Sequence, residues 1–312
     1  MRERSPFVVP DRPMGSVRDA VIAGLRSRIL SLERHVTWRG PGEDASTSEG
    51  KDLSHSLPRS RWELGCPASD ALLPAGLEPG ALHEIKGAPS AAHGASAADW
   101  MAGIGFAARL AVRRIDALAG SARGMNARPW VLWCWPRSLA AEFGTPSFAG
   151  FARLGLDPSR LLIVETARAS DTLNAIEESL RAQSLALVIG VLNEAGLTPA
   201  RRLSLAAGEA ATPCLLVTHP ASEPAAATAT RWRIRRQPSA RHDFDSRASG
   251  AARFSIALER CKARPESAAQ PALLVEWSDE TRRFDMASVV ADLPAQTHGA
   301  RGGAIGPTVR SY

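Results

Sequence analysis

The 312-residue chain lacks any apolar run of the roughly 18 residues that a membrane-spanning helix needs. Its longest such run, LALVIGVL at Leu185–Leu192, is strand-sized. The N-terminal stretch MRERSPFVVPDRP carries charge but no apolar h-region, so export is not expected. Cysteine is scarce as well. Cys66, Cys134, Cys214 and Cys261 stand far apart with no C-x-x-C pair, which argues against a zinc site and against a disulfide framework, and fits a reducing cytoplasm. Cys134 and Cys214 lie inside apolar runs and are expected as buried structural thiols. His83, His93 and His219 are separate, with no H-E-x-x-H pattern among them; His83, in a strand-like run, reads as a hydrogen-bonded core or edge residue. There is no G-x-S-x-G elbow and no internal repeat. The stretch His242–Asp245 (HDFD) offers cation ligands in principle, but its polar surroundings read as a solvated loop.

What is present is an ordinary soluble composition, 45% apolar and 22% charged, with a formal charge of +6 and a pI of about 9.7. The chain is long enough to bury a substantial core. Its positive charge is uneven. Between Arg231 and Arg264 ten Arg or Lys face only Asp243, Asp245 and Glu259. Such a segment favours nucleic acid or an acidic protein surface, in a salt-dependent association.

Along the chain, Ile22, Leu25, Ile29, Leu32 and Val36 step by three and four, the spacing of one helix face. Residues 1–39 are therefore read as an amphipathic helical region, either a lid on the main domain or a seam for another helix. Residues 40–61 are polar and read as a flexible linker. From Leu82 to Val217 strand-like runs (LHEIK, VLWCW, RLLIV, LALVIGVL, CLLVT) alternate with helical ones (Ser96–Leu118, Ser147–Leu154, Asp171–Ala182, Pro199–Ala210). Strands that are apolar without alternation belong in a parallel sheet covered on both faces. The prediction is a doubly wound, mainly parallel α/β core over 62–287. After Thr230 the period drops to two. Trp232, Ile234, Phe254, Ile256 and Leu258 alternate with polar residues, and Leu273–Met286 reads as a hairpin turning at SDET. These strands are expected to be antiparallel and to extend one edge of the sheet. Residues 288–312 are expected as a disordered tail.

The stretch EIKGAPSAAHGASAADW (Glu84–Trp100) sets strand, glycine-bearing loop and helix in the layout of a phosphate-binding P-loop. That loop needs G-x-x-x-x-G-K-[ST]: backbone N–H groups wrap the phosphates, the lysine neutralises them and the hydroxyl holds magnesium. Here Gly87 and Gly94 are seven positions apart rather than the motif's five, Ala95 stands where the lysine belongs, and only Ser96 is kept. Lys86 precedes the loop, out of reach of a phosphate held further on. A later strand must also end in an acid that positions magnesium and water. LALVIGVLNE has Gly190 at the expected place, with Asn193 and Glu194 beyond, and VLWCW is followed by Pro136-Arg137 without a carboxylate. Three positions fail together, so a lost catalytic site is expected, with no cofactor.

From Trp62 to Asp285, about 70% of the chain, the order of motifs resembles a RecA-type core. The closest likeness is to the ImuA family, RecA-like damage-inducible mutagenesis proteins that are also described as SulA-like. It rests on LHEIKG followed by HGAS, WCWPR (Trp133–Arg137), LDPSRLLIVE (Leu156–Glu165) and AIEESLR (Ala175–Arg181). RRLSLAA (Arg201–Ala207), ATRWRI (Ala229–Ile234) and LVEWSDETRRF (Leu274–Phe284) complete it. The resemblance implies a non-catalytic accessory factor of the SOS-induced translesion mutasome. Its partners would be an ImuB-type Y-family polymerase homologue, an error-prone polymerase and RecA. Family members are similar in lacking a credible Walker lysine. RecA reads single-stranded DNA through loops after its fourth and fifth core strands. The corresponding stretches here, Asn193–Thr198 and PASEPAAATAT, are short or alanine-rich, without a stacking aromatic or positive charge. The alternatives are an active RecA-type ATPase in DNA repair and a SulA-like inhibitor of cell division. Leu25 and Leu32 are the expected docking residues of the N-terminal helix, for self-association or RecA. Arg231, Arg233 and Arg235, projecting from one face of a strand, are the expected contact to a protein partner or, weakly, to DNA; no membrane contact is expected.

Overall fold

A computed structural model describes residues 61–73, 75–89, 96–120, 129–242, 244–245 and 247–287. The N-terminal helical region with Leu25 and Leu32, the linker up to residue 60, Gly94 and Ala95, and the tail from 288 lie outside the described residues.

Nine strands form one sheet: β1 (Leu82–Gly87), β2 (Trp130–Pro136), β3 (Leu161–Thr166), β4 (Leu185–Leu192), β5 (Cys214–Thr218), β6 (Thr230–Gln237), β7 (Arg253–Cys261), β8 (Leu273–Ser278) and β9 (Arg283–Met286). Their order across the sheet is β3-β2-β4-β5-β1-β6-β7-β8-β9. The helices longer than a single turn are α1 (Ala97–Ala119), α2 (Arg137–Phe143), α3 (Phe148–Arg153), α4 (Ala169–Arg181) and α5 (Leu197–Ala210). This is the mixed α/β architecture expected from the sequence, consistent with a RecA-like core, with antiparallel strands at its C-terminal end.

The unalternating strands are buried on both sides because helices cover both faces of the sheet. All eight residues of β4 and all five of β5 are buried. On the first face Phe106 and Leu110 of α1 pack with Ile85, Trp133, Ile189, Val217 and Trp232. On the second, Ile176 and Leu180 of α4 and Leu203 and Ala207 of α5 pack with Leu132, Val188 and Leu216. Gly190 belongs to this packing: a Cβ there would come within 2.3 Å of Ile176 Cδ1. Trp232, Ile234, Phe254, Ile256 and Leu258 are all buried, as their alternation predicts. The β8–β9 hairpin falls where the SDET turn places it.

Two features differ from the sequence reading. The strand β6 is neither at an edge nor antiparallel on both sides: it lies parallel to β1 and antiparallel to β7, with Glu84 opposite Arg231 and Lys86 opposite Arg233. A period of two marks a half-polar strand but carries no information on its direction. The seven-residue helix α2, directly after Pro136, is the other. Its proline leads into a first turn that needs no backbone donor there, and the run is too short to show periodicity.

Four cysteines, Cys66, Cys134, Cys214 and Cys261, are buried and free. Burial pushes the Cys214 thiol up to about 12, and Cys134 is raised further. Both act as small apolar side chains. His83 is buried between β1 and β6, with Nε2 2.9 Å from the Glu78 carbonyl and Nδ1 2.8 Å from the Thr230 hydroxyl. A carbonyl only accepts, so the proton resides on Nε2 and Thr230 donates to Nδ1. Thr230 in turn accepts from Trp232 Nε1–H at 3.1 Å. Desolvation lowers the His83 pKa to about 4, against an ordinary value of 6.5. The folded protein therefore holds a neutral ring while the unfolded chain takes up a proton below pH 6.5. This residue's contribution is complete above that pH and is lost as pH falls toward 4, at about 1.4 kcal/mol per unit. Urea unfolding at pH 7 and pH 5 is expected to show about 2 kcal/mol of stability loss that His83→Asn removes. An equal loss in both proteins would contradict the assignment.

Candidate functional site

In an open parallel sheet, ligands bind beyond the carboxyl ends of the strands. A cavity of about 500 Å³ lies there, beyond β1, β4 and β5. Ser96 and Trp100 reach it from the start of α1, Glu142 and Phe143 from the end of α2, Asn193 and Glu194 from the segment after β4, and His219 and Ser222 from the segment after β5. Trp100 stands edge-on to Phe143 (5.2 Å) and to His219 (5.1 Å), which ties the three elements together. The His219 amide donates to Asn193 O at 3.0 Å, joining the β4 and β5 exits.

The first turn of α1 is where a P-loop protein would hold phosphate, on exposed amides at the positive end of the helix dipole. Here the chain supplies its own anion. Asp99, 5% exposed, accepts from the Ser96 amide (3.0 Å) and from the Ser96 hydroxyl (2.7 Å). The Asp99 amide donates back to Ser96 Oγ at 3.3 Å, completing a capping box. The glycine before the loop is kept for a close approach and not for phosphate: a Cβ on Gly87 would stand 2.1 Å from the Asp99 carbonyl oxygen.

Lys86 is equally committed. Its Nζ donates to the carbonyl and to the hydroxyl of Ser222, each at 2.7 Å, and lies 3.9 Å from Glu84 Oε1. Burial holds the ammonium below the usual lysine range, against the pull of Glu84. Glu84 has no solvent exposure and is fully partnered. It accepts from Thr218 Oγ1 (2.8 Å), the Ala225 amide (3.0 Å) and Arg231 Nε (2.7 Å). The residues after β5, 219–229, thus lie across the second face beside the Glu84 end of β1. Ala225 and Thr228 are fully buried there. This stretch, which the comparison with RecA offers as a DNA-reading loop, is fastened down along its length.

The sequence-predicted residues separate in space. Gly87 and Ser96 flank the cleft; Gly94 and Ala95 are outside the described residues. Gly190 faces α4 and not the cleft, so a side chain there would not reach a ligand. The positions that do reach it are Asn193 and Glu194. Glu142 also lines it, a carboxylate that sequence reasoning missed because α2 went unrecognised. Arg231 is only 14% exposed in its pair with Glu84, and its Nη2 donates to Ala225 O at 3.0 Å. Arg233 forms a two-pronged pair with Glu259 (2.7 and 3.1 Å) and caps Gly87 O and Pro220 O. Only Arg235 of the three is exposed. They share one strand face, as alternation requires, but two of them serve the fold. The structural signal was available only in the β1–β6 pairing.

Among the described residues, those at the cleft do not fit nucleoside triphosphate with magnesium. The Asp99 carboxylate takes the Ser96 amide at the helix start, Lys86 is engaged elsewhere, and Glu142 and Glu194 set negative charge around the remaining space. Among the described residues no group of three or more His, Cys, Asp or Glu is placed to hold a metal ion. No protein-family model matches the sequence, and no curated protein matches it.

Removing one partner of a buried ion pair leaves the other charge uncompensated, at about 3–5 kcal/mol. Arg231→Ala is therefore expected to lower the unfolding free energy by about 3 kcal/mol, whereas Arg235→Ala changes it by less than about 0.5 kcal/mol. Equal, small effects in chemical denaturation would show that Arg231 is not structural.

Proposed function

We propose that the protein is a non-catalytic accessory factor of SOS-induced translesion synthesis, a RecA-like interaction platform in the cytoplasm. It works beside an ImuB-type polymerase homologue, RecA and an error-prone polymerase. The mutasome assignment draws on the ordered motifs of the resemblance. WCWPR and LDPSRLLIVE, two of those motifs, run into or out of neighbouring strands β2 and β3. Among the described residues no helix is long and apolar enough to cross a membrane.

The observation that carries the non-catalytic reading is the Asp99 carboxylate on the first turn of α1. A capping interaction is worth only about 1 kcal/mol, so a strongly bound phosphate could displace it. What decides against phosphate is the sum. The ligand would arrive without a lysine, with Ala95 in its place, and among the carboxylates of Asp99, Glu142 and Glu194. Each carboxylate within about 4–6 Å of a phosphate disfavours it further.

Titration calorimetry with ATP and magnesium is expected to show no saturable binding at micromolar concentrations and no turnover above a buffer blank. Micromolar affinity or hydrolysis would sink this reading. For the platform itself, Leu25→Asp with Leu32→Asp is expected to abolish capture of RecA or a second copy of the chain by the full-length protein, while the core still melts cooperatively. Undiminished capture would remove the N-terminal helix as the docking element.

A further inference from the structure

The end of β6 and the turn that leads to β7 carry a bare aromatic ring and four exposed arginines close together in the chain. Phe244 is 94% exposed, the most solvent-accessible of the large apolar residues described. Burying a phenylalanine is worth about 1.5–3 kcal/mol, so the fold forgoes that stabilisation here. The ring is held on a closed, hydrogen-bonded neck. The Ala240 amide donates to Ala251 O (2.9 Å), the Gly250 amide to Ala240 O (3.1 Å), and Arg241 bridges to Ser249. Gly250 is obligatory at this crossing, because a Cβ would stand 2.6 Å from Ala240 O. At the tip the Phe244 amide donates to His242 Nδ1 (3.3 Å), and the two rings stand 6.2 Å apart.

Within nine residues of Phe244 along the chain stand Arg235 and Arg236 at the end of β6 and Arg241 and Arg247 in the turn, all exposed. Among the described residues none of them has an ion-pair partner, whereas Arg231, Arg233, Arg253 and Arg264 in the same segment are paired. Asp245 is turned onto the backbone, accepting from the Arg247 amide at 2.9 Å. The remaining acid of the turn, Asp243, leaves the arginines in excess. Because β6 is parallel to β1, this turn projects from the same edge of the sheet as the cleft.

We propose that the β6–β7 turn, through Phe244 and Arg235, Arg236, Arg241 and Arg247, is a contact surface for single-stranded nucleic acid. Guanidinium groups engage phosphates, and an exposed aromatic ring stacks on an unpaired base whatever its identity. In a duplex the base faces are already stacked on each other, so the ring has nothing to engage. An anionic membrane asks for a broader apolar face than one ring supplies. An acidic protein surface accounts for the arginines but would also have to offer an apolar socket for Phe244. The inference is separate from the reading of the nucleotide cleft, and neither depends on the other.

The test is fluorescence anisotropy of a labelled oligo-dT with the full chain, at a series of salt concentrations. Four phosphate contacts predict a log–log salt slope of about −3, and binding to the single strand tighter than to a duplex of equal length. Phe244→Ala is expected to weaken binding about tenfold and Phe244→Trp to restore it. Arg241→Ala with Arg247→Ala is expected to flatten the slope by about 1.4. All these positions are exposed, so unchanged thermal melts will separate lost binding from lost folding. Absence of oligo-dT binding, an undiminished affinity in Phe244→Ala, or tight binding only to phosphatidylserine vesicles would each overturn the proposal.

Discussion

Glu84 is a carboxylate with no access to water in the middle of a parallel sheet, and the layout of the second sheet face follows from what keeps it there. An isolated buried charge costs several kcal/mol, so every lone pair needs a donor. Three separate parts of the chain meet that demand: Thr218 at the end of β5, the Ala225 amide in the crossing segment and Arg231 on β6. Lys86, one turn of the pleat further on, repeats the pattern through Ser222. Where helices α4 and α5 stop, this polar lattice takes over as the cover of the sheet. Ala227 accepts a left-handed φ of 57° within the crossing segment, a strain of about 1–2 kcal/mol that the fastening on either side sustains.

The same lattice explains why a P-loop layout coexists with a set of residues unsuited to phosphate. In a phosphate-binding loop, helix amides and a lysine wait for an external anion. In this protein both have internal partners. Asp99 takes up the Ser96 amide at the helix start, and Lys86 is drawn sideways into the Ser222 turn. The strand–loop–helix geometry is retained because it is also good packing: Gly87 lets β1 end directly against the first turn of α1. The cleft beside it is lined by the carboxylates of Glu142 and Glu194.

Much of the fold was legible in the sequence, because it rests on local or binary signals. β4 and β5 were read to the residue from unbroken apolar runs, and the β8–β9 hairpin from its turn. The direction of β6 was not legible, since alternation is identical in parallel and antiparallel strands. Nor were the partners of Glu84 and Lys86, which lie 134 residues or more away along the chain. Charges inside an apolar run signal a buried pair without naming its other half. Arg231, Arg233 and Arg235 looked equivalent by spacing, and only the pairing of β6 with β1 distinguishes the structural two from the free one. Phe244, among polar neighbours, carried no sign that the turn would hold it outward.

The position of β1 between β5 and β6 has a consequence for how the chain is made. β1 leaves the ribosome well before the two strands that flank it in the finished sheet, since Thr218 follows Glu84 by 134 positions and Arg231 by 147. Throughout that interval both edges of β1, and the carboxylate on it, await their neighbours. Nonlocal closure of this kind slows folding and prolongs the exposure of unpaired strand edges. The charged Glu84 and Lys86 are well placed for that interval, since charge on an open strand edge discourages pairing with the wrong partner. Two charges that are costly to bury in the native state are thus also suited to guard the open strand until β6 arrives.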